Sequence, residues 1–550
     1  MIAHGFWRHA AVVACAALVL CLTALWNGQP FLYPDTPTYL RGAETVLARI
    51  VGPKVFKPWL STAPSASAVA APAAGGGDPG PAAAAASPPN KSLTSIEDKI
   101  VLAGRSVFYG FLVYLGHLAG GMWLTIAAQG LAMAYVLHLL MARLWGLPAG
   151  QVLAVVTGLS LLTPLGVYTG LLMPDVFASL TILIVGLLAV YGPRLTAASW
   201  WILCALLLYG LTAHASHVAL AATLVLVLVA LRALSPAWRG VGLRRVLSVM
   251  LACIALAVAA EWAFGLAVKK AVGQPPLRLP HVMARLIDMG PGTDYLRRQC
   301  PGARFAACAW LANYPTRWDD FLFSTDPSKG AFALADADTK RRLAGEQLRF
   351  AAAVLRHDPV GVVGGVGADV VRQLFTFRVD IFGYRDQDLV KYLGRVPDAV
   401  YQQMERSRGA RNTRYNEALS LASYAGVLAA LAVGAWLWRR RRTGATPPAH
   451  AVMPVQDFQR FAALVIAGVI ANAVVCATLA STLDRFQARV VWLLPFVAVA
   501  ALLLAARRRA ALAAATPGLA APLGPVAQSA SCADLAAGRA GEAKRLAPRA

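Results

Sequence analysis

The residues that could do chemistry in this chain stand at the edges of its apolar runs. Asp35 sits in the turn Tyr33-Pro34-Asp35-Thr36-Pro37, a few residues after the first apolar stretch. Asp175 closes the tight turn Leu172-Met173-Pro174-Asp175, and His214 and His217 flank another turn. Asp484, Arg485 and Arg489 stand before the last apolar run. A carboxylate can act as general base toward a hydroxyl. Two arginines can grip a phosphate and stabilise charge developing on it. Plainer roles compete. Asp35 and Asp175 suit helix starts, the histidines suit interfacial turns, and Trp26, Tyr33 and Tyr39 suit an aromatic belt at a membrane boundary.

Composition says what must position them. Of 550 residues, 58% are hydrophobic and only 14% charged. Soluble proteins carry about 25% charged residues, so a set of soluble domains is excluded, and so is disorder over most of the chain. An all-α polytopic membrane protein remains. A crossing helix needs about 20 apolar residues. Ten segments read as spans, at roughly 10–26, 118–142, 150–170, 175–191, 198–213, 217–233, 246–267, 418–438, 460–481 and 490–506. The first reads as an uncleaved anchor, because no small-x-small cleavage site follows it.

Charge sets the orientation. The net charge is +24, from 51 basic and 27 acidic residues. With both termini inside, the inside loops collect Arg8, Arg143, Arg194, Arg232, Arg239, Arg244, Arg245, Arg439 to Arg442, Arg460 and Arg507 to Arg509. The short outside loops hold only Arg485 and Arg489. Short cytoplasmic loops accumulate Lys and Arg, so the basic excess reads as topology, and nucleic acid is not an expected partner. On this map every residue of the opening paragraph lies at the outside boundary.

The expected domains follow. Residues 1–267 form a membrane domain of seven spans, 418–506 carry three more, and 507–550 form a disordered inside tail. Two outside segments are long, 27–117 and 268–417. The first contains an Ala/Pro/Gly-rich stretch, 61–90, that reads as a flexible insertion, and helical character returns over 92–117, with Ser95 as a candidate cap. The second is long enough for a small, mostly helical domain. Its Gly361–Gly367 run lacks the Lys-Ser/Thr of a phosphate loop and reads as a kinked or membrane-lying stretch. Cys300 and Cys308, a pair in this outside segment, suit a disulfide in an oxidising compartment. No His or second Cys pair stands at ligand spacing, so no metal site is expected from the residues.

This layout resembles the GT-C superfamily of membrane glycosyltransferases, which use sugars linked to polyprenyl phosphates or diphosphates. The resemblance rests on an acidic residue just after the first span, two surface helices in the first outside loop, polar turns on the same face, and many spans. It covers mainly residues 1–235. It implies that Asp35 is catalytic base or metal ligand, that Asp175 fills a second acidic position, and that Arg485 and Arg489 bind donor phosphate. His214, His217, Tyr33 and Tyr39 would line the same cavity. The cofactor is either none or a divalent metal ion; the first loop has no Asp-x-Asp or Asp-Glu pair. The expected activity moves a sugar, with inversion, from a polyprenyl-phosphate-linked donor in the membrane lipid to a glycan, lipid or protein acceptor. The setting would be the periplasmic face of a bacterial inner membrane, in cell-envelope polysaccharide biosynthesis. The alternatives are an O-antigen-ligase-like transferase using outside-face arginines and a histidine, a transporter or flippase of a lipid-linked sugar, and an assembly protein without chemistry. The transferase reading requires Asp35 and Arg485 to share one site, because reacting groups must meet within a few Å; a separation beyond about 15 Å excludes it.

Overall fold

A computed structural model describes residues 2–52, 58–60, 99–239, 241–379, 386–411, 413–442 and 455–515. The 61–90 insertion, the Ser95 cap and most of the tail lie outside these residues. Residues up to Leu502 form one unit, and Leu503–Ala550 form a second. The chain is an all-α polytopic membrane protein. Among the described residues, eight helices are long and apolar enough to cross a membrane: Trp7–Asn27, Trp123–Leu144, Val176–Arg194, Ala215–Leu234, Leu243–Val272, Arg414–Arg439, Val455–Leu479 and Asp484–Ala511.

Several boundaries differ from the sequence reading, each for a local reason. The expected 150–170 span is two pieces, Ala149–Leu162 and Leu165–Thr169, broken at Thr163-Pro164. Proline cannot donate the helical hydrogen bond and clashes with the preceding turn. The 118–142 span begins only at Trp123, because Gly120, Gly121 and Met122 all have positive φ; the apolar residues before them form a separate helix, Val107–Leu118. That helix starts at Ser106, whose hydroxyl accepts from the Phe108 and Tyr109 amides. Upstream of it the chain is extended, not helical. Leu102–Ala103 pairs in parallel with Leu277–Arg278. The span expected to end at 267 continues to Val272. Gly361–Gly367 lies within one helix, Pro359–Phe375, in place of a kinked stretch.

Contacts at the helix ends sort the polar residues into two groups at opposite ends of the Val176–Arg194 helix. At its far end, Arg194 pairs with Asp457 at 2.6 Å and Arg460 donates to the Ala237 carbonyl. At its near end lie Asp175 and the arginines Arg485 and Arg489. Nineteen helical residues separate the two ends, about 28 Å at 1.5 Å per residue and close to a bilayer's hydrocarbon thickness.

The segment after Val272 forms a helical domain around one apolar core that includes Ile287, Leu296, Phe305, Phe321, Phe332 and Phe350. Cys300 and Cys308 are joined by a disulfide. Arg285, buried, pairs with Asp369, which binds the first helix of this domain to Pro359–Phe375. Ile100 of the first outside segment belongs to the same core. The Gln373 amide brackets Leu483, donating to its carbonyl and accepting from its N–H, both at 2.9 Å. The domain is thereby bonded directly to the start of the last crossing helix.

Within the first outside segment, Thr36–Val51 packs on Val107–Leu118 at Gly110. A Cβ there would collide with the Tyr39 carbonyl oxygen and meet the Ala43 Cβ at 3.2 Å. Gly110→Ala is expected to destabilise the protein by about 1–3 kcal/mol, the usual range for overpacking. The check is a lower unfolding midpoint for the purified variant; an unchanged midpoint contradicts the close approach.

Candidate functional site

Two turns are zipped together before any charged side chain is considered. The Phe31 N–H donates to the Gly170 carbonyl and the Leu172 N–H donates to the Phe31 carbonyl, both at 2.9 Å. The Thr36 hydroxyl donates to the Leu172 carbonyl at 3.0 Å and accepts from the Tyr33 N–H. This brings the Asp35 turn against the Asp175 turn. Each aspartate precedes a helix, yet neither side chain makes a capping hydrogen bond. Both carboxylates face arginines instead.

Arg485 and Arg489 stand on a helix, Asp484–Val491, and not in a turn as the sequence suggested. Their spacing of four places them on one face. Arg489 is 2% exposed. Its guanidinium lies 3.3 Å from Asp175 Oδ1, 3.0 Å from Asn472 Oδ1 and 3.4 Å from the Ser216 hydroxyl. Asn472 is itself fixed by its amide, which donates to the Phe486 carbonyl at 2.6 Å. Arg485, one turn earlier, spans both carboxylates. Its Nε lies 3.6 Å from Asp175 Oδ1, and an end nitrogen lies 4.0 Å from Asp35 Oδ2. Its guanidinium stacks over the Tyr33 ring at 4.3 Å. Neither that end nitrogen nor Nε makes a hydrogen bond among the described residues.

The structure adds residues that the sequence did not single out. Arg105 pairs with Asp35 Oδ1 at 2.7 Å, and its buried Nε has no partner among the described residues. Arg395, from the outer domain, donates to the Pro34 carbonyl at 2.9 Å and to the Thr38 hydroxyl at 3.3 Å. His281 is close enough for its charge state to respond to Arg105 and Asp35, and its buried Nδ1 has no partner among the described residues. The Leu102–Leu277 ladder explains how Arg105 and His281 arrive together, since each follows its strand by a few residues.

The expected cavity residues divide. Tyr33 and Tyr39 join the cluster; Tyr39 is buried, and its hydroxyl has no partner among the described residues. His214 uses Nδ1 to cap the next helix, bonding the Ser216 N–H and hydroxyl. His217 uses Nδ1 on the Gly210 carbonyl, and its buried Nε2 has no partner among the described residues. Cys300 and Cys308 border the outer-domain core. Trp26 packs against Tyr415 with ring centres 4.9 Å apart.

Charge decides what this arrangement can hold. Four guanidiniums, from Arg105, Arg395, Arg485 and Arg489, face two carboxylates, a surplus of two positive charges among these six side chains. Burial alone would raise the Asp35 carboxyl. Arg105, Arg485 and Arg395 outweigh it and hold the group below the usual carboxylate value. Burial, helped by Arg105, pulls His281 down to about 4, so its imidazole is neutral at pH 7. The donor set does not fit a divalent cation, because each carboxylate is already neutralised and the arginines would repel the ion. It fits an anion with several acceptor oxygens.

Comparison with protein-family models, with curated proteins and with solved structures finds no match for this chain.

The two carboxylates should differ in what they hold up. Asp175→Ala strands Arg489 without its buried partner and is expected to cost about 3–5 kcal/mol. Asp35 is 22% exposed, and Asp35→Asn should cost less than about 2 kcal/mol. The pH dependence has a definite sign. A depressed folded pKa adds stability above the unfolded value, about 3.9, and that stability is lost as pH falls through the folded value. Thermal unfolding of wild type and Asp35→Asn should therefore show a constant gap at neutral pH that closes below about pH 4. A gap that widens in acid contradicts the ion pairing.

Proposed function

We propose that the chain is a GT-C-like membrane glycosyltransferase that moves a sugar from a polyprenyl-phosphate-linked donor to an acceptor hydroxyl on the outside face. The observation that carries this reading is the buried excess of positive charge beside a carboxylate, with unpartnered guanidinium nitrogens on Arg485 and Arg105. The distance criterion set by the sequence is met, since Asp35 and Arg485 are 4.0 Å apart. On this reading the short apolar helices Ala149–Leu162 and Ala197–Ala213 also cross. That gives ten spans with both termini inside, and the cluster faces the periplasm of a bacterial inner membrane. The disulfide in the outer domain suits such a compartment.

The residues divide the work as follows. Asp35 accepts the proton of the acceptor hydroxyl as its oxygen bonds to the anomeric carbon. The bond from that carbon to the phosphate oxygen breaks, and the lipid phosphate leaves with the electron pair. Attack opposite the leaving group inverts the anomeric centre. Arg485 is the better placed of the two expected arginines to hold the phosphate. Arg489 is occupied by Asp175 and Asn472, so its part is to fix Arg485's helix and supply charge from behind. Arg105 adds a second grip. No metal ion is assigned a step.

A base works best with a pKa near the operating pH, and Asp35 is held low by its arginines. An arriving phosphate competes for Arg105 and Arg485. As it draws them off, the carboxylate becomes more basic and its oxygens come free. The donor thus prepares the base for the acceptor. The ligase-like reading is favoured by one feature, the unpartnered Nε2 of His217, which would take the base's place.

The test compares cell-envelope glycans by mass spectrometry in a deletion strain carrying wild type, Asp35→Asn, Arg485→Ala or His217→Ala, with membrane levels matched. Loss of a defined sugar on deletion is expected. Asp35→Asn should lower transfer by about 10²-fold or more, and Arg485→Ala by about 10²–10³-fold. Full restoration by Asp35→Asn sinks the reading; if His217→Ala then fails, the ligase-like mechanism replaces it.

A further inference from the structure

A second site lies beside the charged cluster and has a different chemistry. A cavity of about 350 Å³ is bounded by the turn after the first span, the Gly120–Trp123 turn and a helix of the outer domain. No charged side chain lines it. Its polar groups are the amides of Gln29 and Gln403, and its aromatic wall is Trp123. Gln29 is 4% exposed, yet its Nε2 has no hydrogen-bond partner among the described residues. A buried amide donor left open in this way is free to donate to a bound acceptor.

The backbone around the cavity is shaped to keep it open. Gly28, Gly120 and Gly121 all have positive φ, and a Cβ on Gly28 or Gly120 would meet nothing within 4 Å. Met122 holds a left-handed φ of 65° although it is not glycine, a conformation that non-glycine residues rarely adopt. The Asn27 side chain locks the turn from below, donating to the Gln29 carbonyl at 3.0 Å and accepting from the Gly409 N–H at 2.8 Å.

We infer that this cavity binds one neutral sugar ring, the terminal residue of the acceptor glycan. Ligand pockets start at about 300 Å³, so the volume admits a single ring and little more. A pyranose offers an apolar C–H face to the Trp123 indole and hydroxyls to the two amides, which both donate and accept. An anionic ligand would find no counter-charge among the lining residues. The position relative to the cluster is specific. Leu32 and Leu172 line the cavity, and three positions further along the same two zipped turns stand Asp35 and Asp175. A ring seated here therefore rests against the two segments that carry Asp35 and Asp175. The acceptor role rests on the glycosyltransferase reading, whereas the binding of a sugar does not.

The experiment is saturation-transfer NMR on the full chain in nanodiscs, free of glycoside detergent, with the methyl glycosides of glucose, galactose, mannose and N-acetylglucosamine. At least one should show saturable transfer. Gln29→Ala, and separately Gln403→Ala on the exposed rim, should reduce it about fivefold or more, the effect of one lost hydrogen bond. If no glycoside binds, or if binding is indifferent to both amide variants, the sugar site is overturned while the envelope-glycan result still stands or falls by itself. Binding that passes this test in a protein whose Asp35→Asn variant restores the glycan keeps the site and removes its acceptor role.

Discussion

The arrangement depends on one buried ion pair, Arg489 with Asp175. Both side chains are almost wholly removed from solvent, at a depth where an unpaired charge costs several kcal/mol. Removing Asp175 leaves Arg489 a buried charge without a carboxylate, whereas Asp175 also has Arg485 at 3.6 Å. Asn472 and the Ser216 hydroxyl take the remaining guanidinium donors, so four separate stretches of chain are held at one point. That point fixes the register between the helix beginning at Val176 and the helix beginning at Asp484. Arg485 then follows by helical geometry, one turn away on the same face, and lands against Asp35 because the Phe31–Leu171 zipper has already placed the Asp35 turn there.

The segment after Val272 belongs to this arrangement. It contributes Arg395 to the Asp35 turn, places His281 through the two-strand ladder, and grips the start of the Arg485 helix through Gln373. The Tyr392 hydroxyl donates to the Leu32 carbonyl at 3.3 Å. The first outside segment is tied down on both sides of its Ala/Pro/Gly-rich part. Upstream, Trp59 donates from its ring to the Arg395 carbonyl and from its backbone to Glu44. Downstream, Ile100 is packed in the outer-domain core. Closing a loop between fixed ends becomes costlier only with the logarithm of its length. Sequence between such anchors can lengthen with little effect on the site.

The parts legible in the sequence were those where a polar residue stood out against apolar surroundings. Asp35, Asp175, Arg485 and Arg489 qualified, and the structure brings them together. Arg105 and Arg395 did not qualify. Long outside segments translocate regardless of charge, so an arginine in them carries no topological signal, and nothing local marks Arg105 as the partner of a residue 70 positions away. Asp484–Val491 looked like a turn because its polar residues interrupt the apolar run. It is a helix whose cap residue Leu483 donates to Gln373 and whose Phe486 carbonyl accepts from Asn472. The aspartates looked like capping residues from their place before helices, a reading that sequence cannot separate from ion pairing, since both put a carboxylate at a helix start.

The surplus of positive charge bears on what the site can accept. Two unit charges 4 Å apart interact by about 4 kcal/mol at an effective dielectric of 20, so a site with a surplus of two guanidinium charges is unfavourable when empty and discriminates strongly between ligands. A neutral sugar gains nothing from it, and a cation is repelled. A phosphate relieves the repulsion among the arginines as well as bonding to them. On the glycosyltransferase reading this separates the two substrates by chemistry. The anionic donor belongs to the arginines, the uncharged acceptor belongs to the amide-lined cavity, and Asp35 stands on the segment common to both. On the same reading the base could rest in an ion pair with Arg105, because a phosphate that draws Arg105 away would free the base as the donor arrives.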